Sequence, residues 1–251
     1  MVTSEVWIYS VVSVLTISLI SLIGIIGLSM RINKLKNIVI LLVSFSGGAL
    51  FGDAFIHLLP EAFENNEIGI LVPSYILLGI VLFFMIEKFV HWHHCHIEPT
   101  RNHPHPFAYM NLIGDSVHNF IDGLIIGASY IVSLPIGIAT TIAVMLHEIP
   151  QEIGDFGVLL HGGFSKSKAL MINFLTALTA VIGTVIALVL NSYIPSLNNF
   201  LIPFAAGGFI YIAGSDLIPE LHKEVGVKKS AMQILTFILG IIVMYCMLLI
   251  E

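Results

Sequence analysis

His147 to Asp155 reads H-E-I-P-Q-E-I-G-D and lies inside a long apolar run. Ionisable side chains at bilayer depth cost roughly 2.5–3.5 kcal/mol each on insertion scales, so His147, Glu148, Glu152 and Asp155 together require a compensating partner. A divalent cation is such a partner. At 3.6 residues per turn His147 stacks on Gln151 and Glu148 on Glu152, with Glu148 and Gln151 three apart, so imidazole, carboxylate and amide oxygen converge. Pro150 has no N–H, which leaves the carbonyl of Leu146 without its helical donor, bends the helix and offers one more oxygen.

Composition sets the class. Apolar residues make up 57% of the chain and charged residues 10%, whereas an average soluble domain is about a quarter charged. An all-α integral membrane protein follows, with the lipid bilayer and a divalent metal ion as partners and no nucleic acid. Cys95 and Cys246 lie far apart, one in a polar loop and one in an apolar run, so neither a disulfide framework nor a cysteine zinc ribbon is read. The first apolar run begins near Val6 after an acidic lead and continues without a small-residue cleavage pattern, which predicts a retained span.

Runs long enough to cross a bilayer lie near 6–29, 38–60, 71–90, 107–132, 135–160, 168–190, 199–221 and 231–250. The expectation is one polytopic domain over 1–251 with eight transmembrane helices and the metal site between helices four and five. All ten Lys and Arg residues fall on one side of that arrangement. The positive-inside rule makes that side the cytoplasm and both termini extracytoplasmic.

His118, Asn119 and Asp122 lie about a dozen residues into span four, and His147 and Glu148 about as far into span five, so both sets sit near the midplane. The tight Ser133–Pro135 connection makes these helices antiparallel neighbours. His118 and Asp122 are i, i+4 and Asn119 and Asp122 are i, i+3, which turns one face toward the stripe on span five. That suffices for one four- to six-coordinate site, or for two bridged by Asp122. A single His or Asn in a membrane helix is usually interhelical glue, but clustering at matched depth favours the metal. Gly123, Gly127 and Gly154 are expected to let backbones approach closely.

H-N-F-I-D-G from His118 to Gly123 and H-E-I-P-Q-E-I-G-D-F from His147 to Phe156 resemble the motifs of the ZIP family of divalent metal transporters, and the resemblance runs over essentially the whole chain. It implies uptake of zinc, and in some members iron, manganese or cadmium, toward the cytoplasm through a binuclear midmembrane centre. Zn2+, or Fe2+, Mn2+ or Cd2+, is then transported substrate and not cofactor, and the protein is not an enzyme. By motif position His118, Asp122 and Gln151 fall on one metal position and Asn119, Asp122, His147 and Glu148 on the other. Gln151 stands where relatives usually carry His or Glu, and span six offers Asn173 where some carry a carboxylate. Glu152 is the substitute ligand if the helix rotates.

Other spans supply a route. Asp53, His57 and Glu61 are spaced i, i+4, i+8 toward the outer surface, and Ser215, Asp216, Glu220 and His222 descend toward the cytoplasm. Asp155 is counted with the transport pathway, and Asp115, seven residues before Asp122 on a similar face, is a release-side ligand. Gly47-Gly48 before Leu59-Pro60-Glu61 is echoed by Gly207-Gly208 before Ile218-Pro219-Glu220, the mark of a weak inverted repeat. The loop over 91–106 holds His91, His93, His94, His96, His103 and His105, a flexible collector or sensor for metal.

An intramembrane metalloprotease needs H-E-x-x-H, and here the fifth position is Gln151. A divalent metal exporter shares H-x-x-x-D but has fewer spans and a cytosolic tail domain; an ion channel is the third alternative. The short chain points to a bacterial inner membrane. Metal selectivity and a homodimer are left open.

Overall fold

In lipid a backbone must satisfy its own polar groups, and helices do so within one segment. The computed structural model describes residues 2–23, 32–64, 69–92, 106–161, 163–223 and 225–249, and no strand occurs among them. Helix α1 is Ser4–Ile23, started by the Thr3 hydroxyl accepting from the Val6 N–H. Helix α2 runs over 32–64, α3 is Leu71–Trp92, α4 Pro106–Val132 and α5 Leu134–His161. Helix α6 is Lys166–Tyr193, α7 Asn198–His222 and α8 Val227–Met247.

Six of these, α1, α2, α3, α6, α7 and α8, are long and apolar enough to cross a membrane. Helices α4 and α5 have ample length at 27 and 28 residues. Their acids, histidines and amides lower their apolar character, and those same residues make the site. One residue, Ser133, separates the two: its hydroxyl accepts from the Ile136 N–H at 3.3 Å and its carbonyl from the Gly137 N–H at 3.0 Å. It is an N-cap that reverses the chain without an intervening loop.

Glycines fix the crossings. A Cβ on Gly48 of α2 would lie 1.9 Å from the Phe237 carbonyl oxygen of α8, and one on Gly240 of α8 would lie 2.2 Å from that of Phe45. The α3–α7 crossing repeats the arrangement with Gly79 against the Phe204 carbonyl and Gly207 against that of Ile76, and α4–α6 does so with Gly123 against Ala180 and Gly183 against Phe120. Without a hydrophobic force between helices in lipid, such close approach supplies dispersion contact. Hydroxyls add to it: Thr184 donates to the Gly123 carbonyl at 2.8 Å, Ser18 to that of Ala177 at 2.9 Å and Ser44 to that of Gln233 at 2.5 Å. Gly123 and Gly127 do lie at close contacts, but nothing comes within 4 Å of a Cβ built on Gly154. That expectation is corrected, because Gly154 is exposed on α5.

The echo between the second and seventh apolar runs extends to their backbones. Asp53–Leu58 in α2 and Ile212–Leu217 in α7 are π-helical, and Pro60 and Pro219 each stand two residues past the end.

Gly48→Ala drives a methyl into backbone that cannot yield, at a cost of about 1–3 kcal/mol. Thermal unfolding in detergent should show its midpoint several degrees below wild type. Gly154→Ala should leave the midpoint unchanged.

Candidate metal centre

Helix α4 presents His118 and Asp122 one turn apart, and antiparallel α5 faces them with His147 and Glu148. One ligand atom from each lies within 4.8 Å of all the others. The His118 Nε2 is 3.1 Å from the His147 Nε2, 3.4 Å from the Glu148 Oε1 and 3.6 Å from the Asp122 Oδ2. The His147 Nε2 is 3.2 Å from that Asp122 oxygen and 3.4 Å from that Glu148 oxygen. A tetrahedral ion with ligands at about 2.0–2.2 Å needs ligand-to-ligand edges of about 3.3–3.6 Å. The side chains of Asp122, His147 and Glu148 are 1% exposed and that of His118 is 12% exposed.

The surroundings aim these atoms. The His147 Nδ1 lies 3.2 Å from the Ala143 carbonyl, which can only accept, so Nδ1 carries the hydrogen and Nε2 turns its lone pair to the cluster. Phe83 meets the His118 ring edge-on at 5.9 Å and Phe209 meets that of His147 at 6.1 Å. Among the described residues the four oxygens of Asp122 and Glu148 are buried and accept no hydrogen bond. Buried carboxylates in that condition carry a desolvation cost that a cation offsets. The donor set therefore fits a divalent ion.

The carbonyl released by Pro150 is bonded elsewhere. The Ser46 hydroxyl of α2 donates to the Leu146 oxygen at 2.5 Å, tying α5 to α2 at the proline.

The remaining expected ligands divide. Gln151 lines the same cavity as His118 and His147. The Asn119 amide donates to the Asp115 Oδ1 at 2.9 Å and to the Asp115 carbonyl at 3.2 Å. Glu152, 1% exposed, accepts from the Asn173 amide of α6, so it is engaged away from the cluster. Motif position separates His118 from His147 and Glu148, whereas the antiparallel pair brings the first positions of both motifs opposite each other, so that His118 joins His147 and Glu148 around Asp122.

Asp53 is fully buried and His57 is 3% exposed, with its Nε2 3.0 Å from the Met244 carbonyl of α8; Glu61 is partly buried. The i, i+4, i+8 stripe assumed 3.6 residues per turn, and the π-helical Asp53–Leu58 breaks that period. Asp155 accepts from the Asn111 amide at 2.9 Å. Glu220 is exposed and paired with Lys223, and His222 is exposed. The side chains of Asp216 and His91, and the whole of His93, His94, His96, His103 and His105, lie outside the described residues. Sequence reading missed Ser46 and Asn111; the latter could have been found four residues before Asp115 on the same face of α4.

A cavity of about 440 Å3 opens from His118 and His147 past Gln151, Asp115 and Asp155 to Glu87 of α3 and Glu220 of α7. The profile of the ZIP zinc transporter family matches residues 4–107 and 105–248. The chain belongs to the ZIP family. It is 31% identical to the zinc transporter zipt-7.2 of Caenorhabditis elegans over 96% of this chain and 65% of that protein. It is 30% identical to zipt-7.1 of Caenorhabditis briggsae over 84% and 71%, and 33% identical to the zinc transporter ZIP13 of Pongo abelii over 81% and 65%. Against zipt-7.2 and ZIP13 this ZIP chain spans less than two thirds of the relative's length. These relatives are animal proteins and lend no support to a bacterial inner membrane; what stands is an integral membrane protein.

In this ZIP chain the Asn173–Glu152 bond is a tie between helices. Asn173→Leu strands a buried carboxylate and should lower the unfolding midpoint, with a loss of about 1.5–3 kcal/mol. Adding Glu152→Gln should recover part of that, and Glu152→Gln alone should keep zinc affinity within about twofold of wild type by equilibrium dialysis.

Proposed function

We propose that this protein imports a divalent cation, zinc first, into the cytoplasm through the centre formed by His118, Asp122, His147 and Glu148. The observation that carries the proposal is the convergence of two imidazole nitrogens and two carboxylate oxygens, buried together within 4.8 Å of one another. Two carboxylates balance the ion's two positive charges, so the loaded centre is neutral and the hydrocarbon no longer opposes it. Iron, manganese and cadmium can bind the same N/O donors, with geometry setting the preference.

In the proposed arrangement eight spans cross the membrane, α4 and α5 among them, with both termini outside. Asp53, His57 and Glu61 receive the ion on the outer side. At the centre the four ligands replace its water. The cavity beyond His118 runs toward the helix ends that carry Lys166, Lys168, Lys223, Lys228 and Lys229, which is the cytoplasmic side by the positive-inside rule. The helix pair α4–α5 moves against α2, α3, α7 and α8, whose echoed halves suit alternate opening to the two sides. The histidine loop over 91–106 collects metal at the exit. A peptidase reading is disfavoured by Gln151, which stands where H-E-x-x-H requires its second histidine.

Proteoliposomes carrying the full chain should show saturable uptake of radioactive zinc, and His118→Ala or Glu148→Ala should abolish it. Normal uptake by either variant would refute the centre. Co2+ bound to the purified protein should display the intense visible bands of tetrahedral coordination, and Glu148→Ala should remove them.

A further inference from the structure

We infer that Asp115 and Asp155 form a second cation station, built from oxygen donors alone, on the release side of the histidine centre. The inference rests on the transport reading above and adds where the departing ion pauses and in what chemical state. Asp115 is seven residues before Asp122 on α4, and Asp155 is seven after Glu148 on α5. In two antiparallel helices both steps lead to the same end, and each covers about 10 Å at 1.5 Å per residue. Both acids line the same cavity as His118 and His147.

The two carboxylates are held alike. The Asn119 amide donates to the Asp115 Oδ1 and the Asn111 amide to the Asp155 Oδ1, each at 2.9 Å. In each acid the second oxygen, Oδ2, is buried and accepts no hydrogen bond among the described residues, and Asp115 is 5% exposed overall. The Thr176 hydroxyl of α6 faces the Asp115 carboxylate as a further hydrogen-bonding partner and lies 2.8 Å from the Asn173 carbonyl as well. An amide that orients one carboxylate oxygen leaves the other to a ligand, as outer partners do at metal sites. With Gln151 as a further oxygen, and no imidazole, the station suits a partly hydrated hard cation in place of a tetrahedral one. A cavity of about 440 Å3 holds the ion together with its waters.

The test uses the full chain in lipid nanodiscs with two probes, Mn2+ followed by electron paramagnetic resonance and Zn2+ followed by equilibrium dialysis. The pair His147→Ala/Glu148→Ala, in which the centre is removed, should bind one Mn2+ with no nitrogen coupling. Adding Asp115→Asn/Asp155→Asn to that pair should remove this Mn2+, and Asp115→Asn/Asp155→Asn alone should keep tight Zn2+ binding, which also reports that the variant is folded. Asn111→Leu, which leaves both acids in place, should weaken Mn2+ roughly tenfold with Zn2+ unchanged. Mn2+ binding that survives when all four residues are replaced, or that shows histidine nitrogen coupling in the His147→Ala/Glu148→Ala pair, overturns the station. Loss of tight Zn2+ binding in the Asn pair overturns it as well, by merging these acids with the centre. Tight Zn2+ binding that survives in His147→Ala/Glu148→Ala overturns the centre itself, a result distinct from the others.

Discussion

Two carboxylates facing two imidazoles in the interior of a helical membrane bundle set the terms for everything around them. Asp122 and Glu148 cannot be left charged and alone in hydrocarbon, and no Lys or Arg lies near them in sequence. Their neighbours are His118 and His147, at distances matching one coordination shell. A cation that completes this shell removes the charge problem and ties α4 to α5 at mid-length. The polar residues that make α4 and α5 poor candidates for crossing lipid unaided are therefore the ones that make up the cluster.

The surrounding helices meet that demand by rigidity of a particular kind. Paired glycines at the α2–α8, α3–α7 and α4–α6 crossings bring backbones into contact, and each crossing lacks room for even a methyl group. Hydroxyl donors close the remaining gaps, and the bond from Ser46 to Leu146 secures α5 where Pro150 interrupts its ladder. Phe83 and Phe209 then wall the imidazoles. The centre is positioned by contacts that start on five other helices.

Much of this was legible in the sequence, because helical period predicts which residues of one helix share a face. His118 with Asp122, and His147 with Glu148, could be paired across a tight turn with no knowledge of the rest. What period cannot supply is the rotation of one helix against another. Glu152 turns to Asn173 of α6, although it lies one turn from Glu148 on α5. Gly154 shows the same limit: small residues permit close approach, but a neighbour must arrive. Asp53 and His57 illustrate another, since a stripe drawn at 3.6 residues per turn is lost where the turn widens.

The matched π-helical segments carry a consequence for the two helices that contain them. A turn that absorbs one residue more than usual displaces everything downstream by about 100° around the axis. The glycine end of α2 can therefore keep its azimuth against α8 while the Pro60-Glu61 end answers to different surroundings, and the same holds for α7 with Gly207 and Pro219-Glu220. One continuous rod thereby serves two orientations without a break in the chain.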